Sequence, residues 1–240
     1  MDKNDLCFAF DEVVKDYPIV YDLGITTIPE SFYDYGHKYQ RHFKRLKVRN
    51  VRSVIVWNIF SVVSFDYAFR DIFIPKIINK LNLKFNRDKF NFDYDHYQLN
   101  RKQFAVRSGT AKISRPSIAF HEKFGLNYKI DLLFTNGLFD DAVVIEDKLE
   151  YENCIGCDAP CESSCPVGCT FNYEHSDWRK CDNFITTAEN FSDPEKMCRI
   201  CQDACPYSED LKQKLLDINP DYGSRIPNNI DYARGMLKNN

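Results

Sequence analysis

No apolar run in these 240 residues is long enough to cross a bilayer. The longest, "VIVWNIFSVVSF" from Val54, contains Asn58 and falls short of the roughly 20 residues a membrane helix needs, so no transmembrane segment is expected. The opening "MDKNDLCFAF" carries both signs of charge and has neither an apolar core nor a small-residue cleavage site. It does not read as an export signal, and a cytoplasmic location is expected. Charge of one sign is also lacking: 32 Lys and Arg stand against 35 Asp and Glu, a formal net charge of −3. The chain as a whole therefore has no pull toward nucleic acid, although local patches remain open. No period of solenoid type appears. At this length a core can form without disulfides or metal to support it.

What the chain does have is sulfur. Of its ten cysteines, nine fall between Cys154 and Cys205. "CIGCDAPCESSCPVGC", from Cys154 to Cys169, holds five thiols and two prolines, and "CRICQDACP" repeats the theme at Cys198. A reducing cytosol keeps thiols unpaired, so this crowding points to metal or redox chemistry more than to a disulfide framework. Cys7, far from the rest, reads as a packing residue.

The chain divides near residue 150. Residues 1–150 read as one core of helices and strands, 151–210 as a sulfur-rich module, and 211–240 as an irregular wrapping tail. In the first part "RSVIVWNIF" (Arg52 to Phe60) and "NYKIDLLFTN" (Asn127 to Asn136) suit buried strands, and "DAVVIEDK" suits a third strand or a loop edge. "DYAFRDIFIPKIINKLNLKF" shows helical spacing at Phe69, Ile72, Phe73, Ile77 and Leu81, with Pro75 as a kink or boundary. "SEDLKQKLLDI" is a further helix candidate. This alternation suggests an α/β or α+β layer structure.

The cysteine spacing carries the chemistry. Iron–sulfur cubanes take four thiolates each, and in two-cluster ferredoxins the Cys before Pro in one run ligates the cluster of the other. Two cubanes need eight ligands. Cys154, Cys157, Cys161 and Cys165-Pro166, the lone Cys181, then Cys198, Cys201 and Cys205-Pro206 supply them, and Cys169 is left over. Short Cys-x-x-Cys loops wrap a cluster edge and aim backbone N–H groups at its sulfurs, and Pro ends the turn. Zinc uses such pairs too, in separate four-ligand knuckles without the two Cys-Pro endings. Paired disulfides are a third possibility. The first run departs from the bacterial x2, x2, x3 spacing by one residue in "CDAPC". The extra residue is absorbed either as a bulge around Pro160 or by Cys169 replacing one ligand.

These stretches resemble a known family. "RKCDNFITTAE" (Arg179 to Glu189) and "CRICQDACPYS" are similar to the ferredoxin-type portion of epoxyqueuosine reductases, relatives of the reductive dehalogenases. The resemblance assigns Cys154, Cys157, Cys161 and Cys205 to one [4Fe–4S] cluster and Cys165, Cys181, Cys198 and Cys201 to a second. It implies a nitroreductase-like or flavin-reductase-like core carrying a two-cluster ferredoxin-like module. More weakly, "AVRSGTAKISRPSIAFHEKFGLNYKIDLLFTN" is similar to the family's cofactor-binding stretch, although "TAKISRPS" has no glycine. In that family a proton-donating Asp precedes the first glycine of this stretch, and the same offset from Gly109 falls on Asp95. His96 beside it is an accessory acid or base, or a surface residue. Arg107, Lys112 and Arg115 form an anion-holding edge for phosphate or the carboxylates of cobalamin, or else one exposed face.

Two charged regions suggest partners. "HKYQRHFKRLKVRNVR" (His37 to Arg52) contains Lys38, Arg41, Lys44, Arg45, Lys47, Arg49 and Arg52 without an acid, with Tyr39 and Phe43 interleaved. It reads as a solvated helix face, or as a contact for the tRNA substrate the resemblance implies. The cluster region is acidic, which suits a redox partner better than RNA, and a reduced ferredoxin- or flavodoxin-type donor is expected. The function expected is an epoxyqueuosine reductase-like oxidoreductase that passes electrons through two clusters toward Asp95. A cobalamin-free electron carrier or partner subunit, and a zinc-stabilised interaction protein, are the alternatives.

Overall fold

Every residue of the strand that follows Arg52 is buried. A strand wetted on one side would alternate, so this pattern requires cover on both faces. A computed structural model of the chain describes residues 2–28, 50–61, 73–85, 91–94, 100–146, 149–169, 173, 178–185 and 198–223. The buried strand, β2 (Ser53–Phe60), lies between β1 (Tyr21–Thr26) and β6 (Tyr128–Thr135), and β3 (Phe92–Tyr94) borders β6 on its far side. All three pairings are antiparallel. Of the two classes the sequence left open, the fold is therefore α+β.

Alternation along β2 sorts its side chains between two layers. Ile55, Trp57 and Ile59 face a cluster formed with Leu6 and Phe10 of α1 (Lys3–Val14) and Ile77 and Leu81 of α2 (Ile74–Lys84). Val54 and Val56 face the other way. They meet Phe104 and Ala105 of α3 (Arg101–Arg107), and Ala111 and Ala119 of the hairpin formed by β4 (Ala111–Ile113) and β5 (Ala119–His121). Helix α1 opens on Asp2, whose carboxylate accepts from the Asp5 N–H at 2.9 Å and so satisfies one of the first-turn donors. Pro75 sits in the first turn of α2, where its missing N–H costs nothing, and Phe69 and Ile72 of the same expected helix lie outside the described residues. "DAVVIEDK" forms no strand over residues 142–146. Instead the Val143 N–H donates to Ile25 O and the Ile145 N–H to Arg107 O, tying this loop to β1 and to the end of α3.

The sulfur-rich segment is seated on the β4–β5 hairpin. The Ile113 N–H donates to Leu149 O at 2.6 Å, the Tyr151 N–H donates to Ile113 O at 2.8 Å, and the Tyr151 ring stacks on Phe120 with centroids 3.8 Å apart. Farther on, α7 (Pro206–Ile218) approaches the turn before β6 through Ser208, which is fully buried. Its hydroxyl accepts from the Leu126 N–H at 2.7 Å and from Asn127 Nδ2 at 2.9 Å. The approach is close enough that only glycine fits at position 125, where φ is +61°.

Candidate functional site

Four of the expected ligands line a single pocket: Cys154, Cys157, Cys161 and Cys205. A 3-10 turn over Glu152–Cys154 carries the first, and Gly156, at φ +76°, turns the chain so that the second follows. The extra residue of "CDAPC" is taken up where Ala159 adopts φ 53°, directly before Pro160 opens the short helix α4 (Pro160–Ser163) that holds Cys161. Cys205 arrives from the other run, as the residue that caps α7. The backbone N–H of Arg115 points at Cys154 Sγ, 3.4 Å away. Burial, and after it Cys205, Glu162 and Cys154, pushes the Cys161 thiol up to about 11. Burial likewise raises Cys154 and Cys205. Such thiols are protonated near neutral pH, so metal binding must displace their protons.

The remaining five cluster-region thiols gather beside α6 (Ile200–Asp203) and α5 (Trp178–Ile185). Burial raises Cys201 to about 12, and Cys198, Cys181, Cys161 and Cys165 add to the effect in that order. Cys181 is raised by burial and then by Cys198 and Cys165. Cys165 behaves oppositely. Burial opposes its thiolate, but the N–H groups of Cys169, Val167 and Gly168 and the thiol of Cys169 outweigh burial and hold it below the usual thiol range. Helices α4 and α6 pack against each other, which sets the two thiol groups side by side. All ten cysteines are free of disulfides. Among the described residues, no group of three or more His, Cys, Asp or Glu side chains closes to the spacing of a single-ion site. Four thiols ringing a pocket, with a backbone N–H aimed at one sulfur, are a donor set that fits a four-iron cluster, which offers each thiolate its own iron.

The three candidate cations are drawn to carboxylates of this chain. Arg107 is nearly buried, donates from Nε to Thr27 O at 3.0 Å, and has Glu146 at 4.0 Å. Lys112 donates to both oxygens of Glu152 at 2.9 Å, and Arg115 reaches Glu162 Oε1 at 3.1 Å. The turn after α3 is filled as well: a Cβ on Gly24 would meet Ser108 Oγ at 2.4 Å and Thr110 Cγ2 at 2.7 Å. Lys112 and Arg115 therefore clamp the hairpin to the cysteine segment, and these residues do not form an open cradle for corrin carboxylates. Asp95 and His96 lie outside the described residues. The strand just before them ends in Tyr94, whose hydroxyl donates to buried Asp131 at 3.1 Å beside Arg101. Of the basic stretch, residues 37–49 lie outside the described residues, and Arg52 is exposed.

Three polar contacts had no signal in the sequence because their partners are remote along the chain. His121 is buried, stacks on Phe124 at 4.3 Å, and places Nε2 3.2 Å from Asp22 Oδ2 across 99 residues. Burial works against the Asp22 carboxylate, but His121, Lys3 and Lys123 prevail and lower it. Arg199, between two candidate ligands, hydrogen-bonds Asn127 of the core, and Ser208 makes the close approach described above.

No family model matches the chain, and no curated protein matches its sequence. Solved structures share its fold. An epoxyqueuosine reductase bound to an epoxyqueuosine-modified tRNA-Tyr stem loop matches with a TM-score of 0.60 at 16% identity, over 91% of this chain and 68% of that one. The epoxyqueuosine reductase of Bacillus subtilis, in a form with an aspartate catalytic loop swung out of the active site, matches with a TM-score of 0.56 at 17% identity, over 86% and 66%. A catabolic reductive dehalogenase matches at 0.54 and 14%, over 83% of this chain and 32% of that one, and one such structure bears on B12-dependent dehalogenation. The chain thus spans about two thirds of the reductases and a third of the dehalogenase. The likeness is one of fold.

Proposed function

We propose that this protein is an iron–sulfur oxidoreductase that takes single electrons from a soluble ferredoxin- or flavodoxin-type donor and passes them through two [4Fe–4S] clusters toward its α+β domain. The observation that carries the reading is the gathering of Cys154, Cys157, Cys161 and Cys205, from two separate runs, around one pocket. Four thiolates crowded together repel, and the low dielectric around them strengthens that repulsion unless positive metal neutralises it. A cluster, when bound, supplies one-electron exchange at a potential set by its surroundings. The chain's residues do the rest: Cys165, Cys181, Cys198 and Cys201 hold the second site, and the contact between α4 and α6 keeps the two sites close.

In this reading a terminal reaction lies beside Asp95, taken as the proton donor on the resemblance of the sequence; an aspartate catalytic loop is a feature of the Bacillus subtilis reductase. No step is drawn through cobalamin, because Lys112 and Arg115 are spent on Glu152 and Glu162. This pairing favours the second reading, a cobalamin-free carrier or partner subunit. Anaerobically purified protein should carry close to two four-iron clusters per chain, with matching sulfide and little zinc or cobalt. Added hydroxocobalamin should leave its spectrum unchanged. Stoichiometric zinc without iron would sink the cluster reading, and saturable cobalamin binding would restore a corrin site.

RNA is the substrate class to test first, since one structure of this fold holds a tRNA stem loop. Contacts from Lys38, Lys44, Arg45 and their neighbours would be mostly to phosphate. Binding of a tRNA-Tyr stem loop should then weaken steeply as salt rises from about 50 to 200 mM, and charge reversal at Lys44 and Arg45 should flatten that slope. Binding indifferent to both would leave the stretch as a solvated face.

A further inference from the structure

Cys169 is the one cluster-region cysteine that the eight-ligand scheme does not use, and it is also among the most buried, at 3% exposure. The turn "CPVGC" explains its position. The Gly168 N–H returns to Cys165 O at 3.1 Å, and Gly168 takes φ +59°, a value that suits glycine, so the chain doubles back on Cys165. Two donors of Cys169 then face sulfur. Its backbone N–H lies 3.3 Å from Cys165 Sγ, and its thiol is hydrogen-bonded to the side chains of Cys165 and Cys181. Buried to this degree, the thiol meets these sulfurs and not bulk solvent.

We propose that Cys169 is a positioning and tuning residue for the second cluster: an outer hydrogen-bond donor to the thiolates of Cys165 and Cys181 that raises the cluster's reduction potential. The proposal rests on the reading that Cys165, Cys181, Cys198 and Cys201 hold a cluster. A donor pointed at a ligating sulfur draws off electron density and stabilises the reduced state, which carries one more negative charge. The Cys169 contacts reach only thiols of the second site, so removing its side chain should shift that cluster and leave the first, whose sulfurs accept from the backbone N–H groups of Arg115, Glu162, Tyr207 and Ser208, unmoved.

The test is an anaerobic redox titration of the full chain, followed by electron paramagnetic resonance, with iron content measured on each sample. Cys169→Val and Cys169→Ala should keep the full iron complement and lower the midpoint potential of one of the two signals. Cys169→Ser, which retains a donor, should stay nearer the wild type. Should the variants prove too unstable to titrate, the wild type exchanged into heavy water serves: electron–nuclear double resonance of its reduced second cluster should show a coupled exchangeable proton beyond those of the backbone. Full iron with an unmoved potential in Cys169→Val, or no such proton, overturns the tuning role while leaving the clusters in place. Loss of half the iron in Cys169→Val and Cys169→Ser alike also overturns it, by making Cys169 a ligand. Wild-type protein without iron removes the cluster reading and this inference with it.

Discussion

Cys205→Ala should lose about half of the iron, and the half it loses should be the same one lost by Cys154→Ala, not the half lost by Cys201→Ala. The expectation follows from the pocket that Cys205 shares with Cys154, Cys157 and Cys161, although Cys205 lies in the run of Cys201. Residues acting on one site give non-additive effects, and residues on separate sites add. The double variant Cys154→Ala/Cys205→Ala should therefore resemble either single variant, with about four irons left. Cys201→Ala/Cys205→Ala should be nearly iron-free. Iron analysis with paramagnetic resonance of the reduced proteins reads both results. If Cys201→Ala and Cys205→Ala abolish the same signal and their double variant keeps the other, each run holds its own metal and the crossing is wrong.

The second large effect is structural. Gly125→Ala would set a Cβ 2.5 Å from Ser208 Oγ and 2.6 Å from Ser208 Cα, and the latter is backbone that cannot rotate away. To this overlap is added the strain of a non-glycine residue at φ +61°. Together these should destabilise the protein by about 3 kcal/mol, from strain of order 1–3 kcal/mol and a comparable overpacking cost. Since Cys205 caps α7 and Ser208 belongs to its first turn, the shift should also loosen the first cluster. Gly156→Ala is the control: its φ is +76°, but a Cβ there meets nothing within 4 Å. Its cost should be near 1 kcal/mol, from backbone strain alone. Thermal unfolding and iron retention after gel filtration distinguish the pair, and equal losses in both variants would remove the close approach from the account.

The contrast between these two glycines shows where legibility stops. Both stand in turn-like stretches of the sequence, and nothing local tells them apart. Ser208, 83 positions beyond Gly125, makes the difference. The same holds for the cations: Lys112 and Arg115 read as an open edge until Glu152 and Glu162, some forty residues on, arrive beside them. Helix α1 is a different kind of omission. Its signals are local, with Asp2 ahead of Leu6, Phe10 and Val14 at helical spacing.

By itself the sequence determined the elements whose signal is local: the strands β2 and β6, the helix opened by Pro75, the helix before Ile218, and a thiol supply suited to eight-ligand cluster chemistry. Periodicity, proline and cysteine spacing act over a few residues, so they survive without a fold. Tertiary structure alone decided that the sheet is antiparallel, because a strand covered on both faces shows an unbroken apolar run whichever way its neighbours point. It alone also decided that Cys169 turns inward onto Cys165 and Cys181. These are contacts between residues remote in the chain, or closed by a glycine turn. Their geometry exists only once burial of the core has brought the segments together.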